Sequence, residues 1–230
     1  GVGQRPKVHL DGVPVSQTLI DDLLVELRAW TEETGRVAKN RERPSIDAGN
    51  YMILRSPKMD HDANASKKTP DEDATRTVVT NQSRSTRASR RAIRKTRKLE
   101  KYRKIWDLAQ KALNEVDPIF AERCTEIAVT YRFQGSPHID KQNCGPFYGF
   151  SLGNFPNGEG GICVESSARL VAVMNTKNRM GRVDGRYTHW VDEYAEESER
   201  YSLICYETGN AYVTPGPAVF DIPKDINMVV

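Results

Sequence analysis

The stretch SPHIDKQNCGPF, residues 136–147, sets His138 and Asp140 two positions apart where helical periodicity is absent. On an extended strand, side chains i and i+2 project from one face, so an imidazole and a carboxylate here can reach a single ion. The chain has four histidines: His9, His61, His138 and His189. His189 lies 51 residues beyond His138, at the start of HWV, far enough for several strands to return the chain to the same place. Two neutral imidazoles and one carboxylate make a donor set for a divalent transition metal. An HxD pair alone is weak, and the alternative is two ordinary polar residues beside turns.

A second feature, in RYSLICYE, raises the chemical content. Arg200 follows His189 by eleven residues, and Ser202 lies two further on, on the same strand face. A buried guanidinium beside a hydroxyl clamps a carboxylate, because its planar fork donates two parallel N–H bonds. Two His and one Asp on one side of an iron leave positions for a chelating 2-oxo acid and O₂, the pattern of non-haem Fe(II) oxygenases. Asn143 and Tyr131 are candidates to face such a co-substrate, against a turn-capping Asn and a core Tyr. Gly160 and Gly161, in PNGEGG, fit a hairpin turn, with or without close approach to a ligand. Asp184, Gly185 and Arg186 form a turn before His189, where Arg186 either touches substrate or is solvated. Glu165 ends GICVE and fits no single role. Cys124, Cys144, Cys163 and Cys205 lie far apart without a CxxC pair, so they read as small core fillers rather than a zinc knuckle or a disulfide frame.

These residues need elements to position them. Leu19, Ile20, Leu23, Leu24, Leu27 and Trp30 recur at helical spacing, with Ser16 as N-cap and Gly35 as stop. NYMILRS reads as a strand, and residues 56–83 as a long polar loop. A basic helix is expected over 84–117, with an apolar stripe of Leu99, Tyr102, Trp106, Ala109, Leu113 and Val116, ended by Pro118. From 125 to 230 the runs EIAVTYRF, FYGFSLGNF, GICVE, RLVAVMN, THWV, RYSLICYE and GNAYVT are β-prone and broken by Gly, Asn and Pro, which predicts a sandwich or barrel. One domain spans 1–230, its first 55 residues serving as helix and strand support.

Charge is unevenly placed. The chain carries +3 overall, yet RSTRASRRAIRKTRKLEKYRK (84–104) holds seven Arg and four Lys against one Glu. That segment is +10 and the remainder −7. Arg87, Arg91, Arg94 and Lys98 step along one helical stripe that can neutralise phosphates, which points to nucleic acid. The alternatives are a solvated helix face or a nuclear-import signal. A base drawn out of a duplex needs aromatic walls; Phe147, Tyr148, Tyr187 and Trp190 are candidates, or core. No apolar run approaches the roughly 20 residues that cross a bilayer, and neither end reads as a secretory signal. A reducing intracellular setting, specifically the nucleus, is the expectation.

The segment from about Val129 to Tyr206 resembles the double-stranded β-helix core of the iron(II)/2-oxoglutarate dioxygenases, through HxD, the distal His and RxS. HIDKQNCGPF, GFSLGNFPNGEGG and DGRYTHWV are similar to the TET/JBP-like branch, which oxidises methyl groups on nucleic-acid bases. The resemblance implies an α+β fold with a jelly-roll core and N-terminal supporting helices. It implies His138, Asp140 and His189 as iron ligands, and Arg200 with Ser202 on the C5 carboxylate of 2-oxoglutarate; ascorbate is a further co-substrate to consider. The implied activity is hydroxylation of a base methyl, foremost 5-methylcytosine in double-stranded DNA, by a monomer with no membrane partner. The alternatives are the same chemistry on a protein side chain or small molecule, or a non-catalytic nucleic-acid-binding β-helix. The N-terminal third lies outside the resemblance, and the Cys-rich zinc region of animal TET proteins is missing.

Overall fold

The computed structural model describes residues 5–35, 48–56, 87–141, 143–209, 215–216 and 218, with backbone alone over 87–92. The polar loop expected over 56–83 lies outside the described residues from position 57 onward, as does the GNAYVT run after Gly209.

The chain opens with two short strands, β1 (Lys7–Asp11) and β2 (Val13–Pro14), then α1 (Gln17–Thr34). Ile20, Leu23, Leu27 and Trp30 form the buried face of α1, as their spacing predicts. Gly35 ends the helix at φ 75°, but Ser16 does not cap it with its side chain. Its hydroxyl donates to Glu115 Oε1 at 2.8 Å instead, which ties the start of α1 to a later helix. β3 (Asn50–Arg55) follows, then α2 (Arg87–Lys101), α3 (Arg103–Val116) and α4 (Pro118–Arg123).

The single basic helix expected over 84–117 is thus broken. Tyr102 sits between α2 and α3 at φ −111° and ψ 29°, well off the helical well. Ion pairs hold each side of the break to α1: Lys101 with Glu33, and Lys104 with Glu26 at 2.5 Å. The apolar stripe survives, with Leu99, Trp106, Ala109 and Leu113 buried. Asp117 ends α3 and caps α4, its Oδ1 accepting from the Phe120 N–H at 2.9 Å, with Pro118 in the first turn where its missing N–H is harmless.

The remaining strands are β4 (Glu126–Tyr131), β5 (Phe147–Gly153), β6 (Ile162–Glu165), β7 (Val171–Asn175), β8 (Arg179–Val183), β9 (His189–Val191) and β10 (Arg200–Tyr206). They build two sheets, a six-stranded one in the order β2-β8-β5-β10-β4-β3 and a four-stranded one in the order β1-β7-β6-β9. From β5 to β10 the chain passes back and forth between the two. The large sheet is buried on both faces. Tyr148, Phe150, Leu152, Leu203 and Cys205 pack with the stripes of α1 and α3, while Phe147 and Ile204 turn the other way onto Ile162, Val164 and Met174 of the small sheet. Each fully buried Leu or Phe here contributes roughly 1.5–3 kcal/mol. The four cysteines are free and buried, as core fillers should be. Among the described residues no helix is long and apolar enough to cross a membrane.

Candidate metal centre

His138 and His189, 51 residues apart, are paired across an antiparallel bridge. The His138 N–H donates to the His189 carbonyl at 3.0 Å, and the His189 N–H returns the bond at 2.9 Å. β9 is held in turn by β6, with His189 opposite Val164. Asp140 is fixed by its own N–H, which donates to the Gly185 carbonyl at 2.7 Å. Two turns distant in sequence are therefore stitched together by backbone bonds alone, and the side chains converge as a consequence.

The ring centroids lie 4.3 Å apart. Asp140 Oδ1 stands 4.0 Å from His138 Nε2, and Oδ2 stands 3.8 Å from His189 Nε2. One donor atom from each residue falls within 4.8 Å of the others. Two donors about 2.1 Å from a shared ion are separated by at most about 4.2 Å, and the two carboxylate–imidazole pairs fall inside that span, each through a different oxygen of Asp140. Each Nδ1 is placed to donate to a carbonyl two residues back, Ser136 at 2.7 Å and Tyr187 at 3.0 Å. Those bonds place the proton on Nδ1 and turn both Nε2 atoms toward Asp140. Burial lowers the His189 pKa, partly offset by the Asp140 charge, which favours the neutral ligand form. Asn143 is buried and its Nδ2 donates to Asp140 Oδ2 at 3.0 Å, so it orients the carboxylate. Gly185 is required for space: a Cβ there would lie 2.8 Å from Asp140 Oδ2 and 2.8 Å from the Phe147 ring.

The triad opens into a cavity of about 360 Å³ whose wall also carries Arg200, Ser202 and Ser151. Arg200 is 1% exposed. Its Nη1 donates to Ser202 Oγ at 2.7 Å, and its Nη2 to the Gly160 carbonyl at 2.6 Å and to Ser151 Oγ at 3.2 Å. The Tyr194 and Phe155 rings pack on the guanidinium at 4.9 and 5.5 Å. All of these partners are neutral, and burial pushes the Arg200 pKa down to about 10. A cation buried among neutral groups is a site for an anion. Gly160 lets it in, at φ +61° and with space for a Cβ only 2.7 Å from Arg200 Nε. Ser151, Ser202, Thr130 and Tyr51 lie in register on one rung across β5, β10, β4 and β3. Thr130 Oγ1 in that rung is buried with no hydrogen-bond partner among the described residues. The donor set fits Fe(II), and the cation with its hydroxyl rung fits the distal carboxylate of 2-oxoglutarate.

No protein-family model matches the chain, and no curated protein matches it. Among solved structures, it is similar to an oxidoreductase of the 2OG-Fe(II) oxygenase family from Burkholderia pseudomallei, with 12% identity and a TM-score of 0.34. That match covers 50% of this chain and 61% of the other, so the chain spans about three fifths of that protein's length. NgTET1 in complex with 5mC DNA is similar at 14% identity and TM-score 0.32, over 85% of this chain and 92% of that one. JOX2 in complex with 2OG, Fe and JA is similar at 12% identity and TM-score 0.40, over 90% and 77%.

Several expected neighbours of the site stand elsewhere. Tyr131 faces the helices, its ring 4.9 Å from Tyr201, because the next residue back, Thr130, takes the inward position on β4. Tyr148 is likewise core, donating to Asp117 Oδ2 at 2.9 Å and meeting Phe120 edge-on. Tyr187 bonds the Gly216 carbonyl and does not line the cavity, whereas Phe147 and Trp190 do. Arg186 is neither solvated nor turned to the cavity: it is locked on the buried Asp184 at 2.6 Å. Glu165 pairs with Arg5. On the basic helix, Arg94 is exposed, Lys98 is half-buried with its pKa lowered by desolvation, and the side chains of Arg87 and Arg91 lie outside the described residues. Ser151, Thr130, Tyr51 and Lys141 line the cavity without having been singled out from sequence. Alternation along FYGFSLG, with Phe147, Gly149 and Ser151 on one face, carries the signal for Ser151.

Proposed function

We propose that this chain is an Fe(II)/2-oxoglutarate-dependent dioxygenase with a double-stranded β-helix core, acting as a monomer in the nucleus on a methyl group of a nucleic-acid base, foremost 5-methylcytosine in DNA. The observation that carries the reaction class is the convergence of His138, Asp140 and His189 on one point in a cavity that also holds the buried Arg200. Iron held by two imidazoles and one carboxylate keeps positions for a 2-oxo acid and O₂ and supplies the oxidative chemistry. Arg200 and Ser202 bind the distal carboxylate, and Asn143 keeps the Asp140 carboxylate turned toward the imidazoles. Phe147 and Ile162 keep water from the inner wall. The balance is one methyl group, one 2-oxoglutarate and one O₂ giving one hydroxymethyl group, one succinate and one CO₂.

The substrate class is supported by the +10 segment at 84–104 and by the resemblance of HIDKQNCGPF and DGRYTHWV to base-oxidising enzymes. A base within a duplex must be extruded to reach such a cavity, at about a few kcal/mol. The test is anaerobic loading with Fe(II), then exposure to air with a 5-methylcytosine oligonucleotide, with and without 2-oxoglutarate, read by mass spectrometry. The expected result is one added oxygen on the base and an equal amount of succinate, both dependent on 2-oxoglutarate. Absence of succinate under every condition overturns the reaction class; succinate with an unmodified oligonucleotide overturns the substrate.

A further inference from the structure

The charges on the cavity wall have an asymmetry that the reaction class does not require. Asp140 is the only carboxylate among the described residues lining it, and its oxygens face the two imidazoles and Asn143. The other ionisable groups of fixed sign on that wall are both cations, Arg200 and Lys141. Arg200 is buried, in place for the acid co-substrate. Lys141 is exposed and follows the metal-ligating Asp140 directly, on the outer part of the same cavity. Beside it, Ile139 is 51% exposed, and the rings of Phe133 and Trp190 line the same cavity.

We propose that the cavity is selective for charge: Lys141 binds an anionic group of the primary substrate, a phosphate of a nucleotide whose flat ring enters past Ile139, Phe133 and Trp190, and cationic side chains are rejected. An ammonium or guanidinium entering here would find no free carboxylate among the described lining residues and would be repelled by Lys141, Arg200 being paired with the co-substrate. A phosphate would find Lys141, and an uncharged ring would find the apolar walls of Ile139, Phe133 and Trp190. Amine-bearing side chains such as lysine or arginine of a protein are thereby excluded. The inference rests on the dioxygenase reading and narrows its substrate class.

The experiment compares wild type, Lys141→Gln and Lys141→Glu in binding a fluorescent 5-methylcytosine oligonucleotide by anisotropy over a range of salt concentrations. Direct binding of a fluorescent Arg/Lys-rich peptide of equal length is measured separately, with no oligonucleotide present. Lys141→Gln should weaken binding about tenfold and reduce the slope of log affinity against log salt by about 1, with a larger loss for Lys141→Glu. The peptide should not bind the wild-type protein at the salt concentration where the oligonucleotide does. Affinities and slopes unchanged in both variants, no oligonucleotide binding by wild type, or peptide binding by wild type that Lys141→Glu leaves unchanged would each overturn the proposal; peptide binding that appears only in Lys141→Glu supports it. Fe(II) uptake and succinate formation by wild type are measured on the same preparation. If they fail, the dioxygenase reading falls; if they hold while Lys141→Glu binds like wild type, only the charge selectivity falls.

Discussion

At the scale of single residues, Arg200 is the most revealing side chain. Burial lowers its pKa to about 10, yet at neutral pH it remains charged and its contacts are all neutral. The sign follows: the folded state without an anion disfavours this cation, and stability is recovered either by removing the charge or by supplying a carboxylate. Arg200→Met should therefore stabilise the acid-free protein by about 1–4 kcal/mol in urea unfolding. In the same measurement, 2-oxoglutarate at a hundred times its Kd should add about 2.7 kcal/mol to the metal-loaded wild type and nothing to the variant. An equal 2-oxoglutarate response in both proteins would contradict the clamp. Gly185 is the second test. Because a Cβ would fall 2.8 Å from Asp140 Oδ2, Gly185→Ala should cost about 10–100-fold in metal affinity, as disturbed outer partners of a ligand do, while the circular dichroism spectrum stays that of wild type. Unchanged affinity would show that the Asp140 carboxylate is not where it is drawn.

At the scale of elements, what could be read in advance divides along physical lines. The α1 stripe, the end at Pro118 and the strands carrying His189 and RxS follow from local spacing and were legible, whereas HxD lies in a turn past the end of β4 and not on the extended strand expected for it. β8 was not, because RMGRV has charged residues and a glycine among its apolar ones, and its strand character comes from pairing with β5 and β2. β1 pairs in parallel with β7, from the far side of the sequence, and no local signal announces that. Tyr131 and Tyr148, each left open between the site and the core, escape assignment to one face for a single reason. β4 and β5 are buried on both sides, so alternation between apolar and polar is blurred and a one-residue phase error passes unnoticed. The break at Tyr102 also escaped, since the apolar stripe runs through it unaltered. α2 keeps Arg94 and Lys101 at the surface, and this element should add a salt-dependent contribution to oligonucleotide binding. Replacing Arg94 and Arg97 with Gln should lower the salt slope by about 2, read by anisotropy; an unchanged slope would make the helix a solvated face only.

At the scale of the whole molecule, the proposed metal site is a property of the completed fold. Its ligands come from a turn after β4 and from β9 of the small sheet, joined by a two-residue bridge, so the unfolded chain holds no preformed site. Iron should bind only the native state and raise its stability in proportion to affinity. On the proposed reading, the cavity holds the chemistry, the helices that back the large sheet support it, and the basic residues of α2 supply electrostatic attraction. All of it depends on three side chains sharing one ion. The direct measurement is anaerobic titration of Fe(II) into wild type and into His138→Ala, Asp140→Ala and His189→Ala, each with its secondary structure checked. One ion per wild-type chain, with uptake lost in every folded variant, is the expected result. Stoichiometric iron in any two of the variants, or none in wild type, would contradict it.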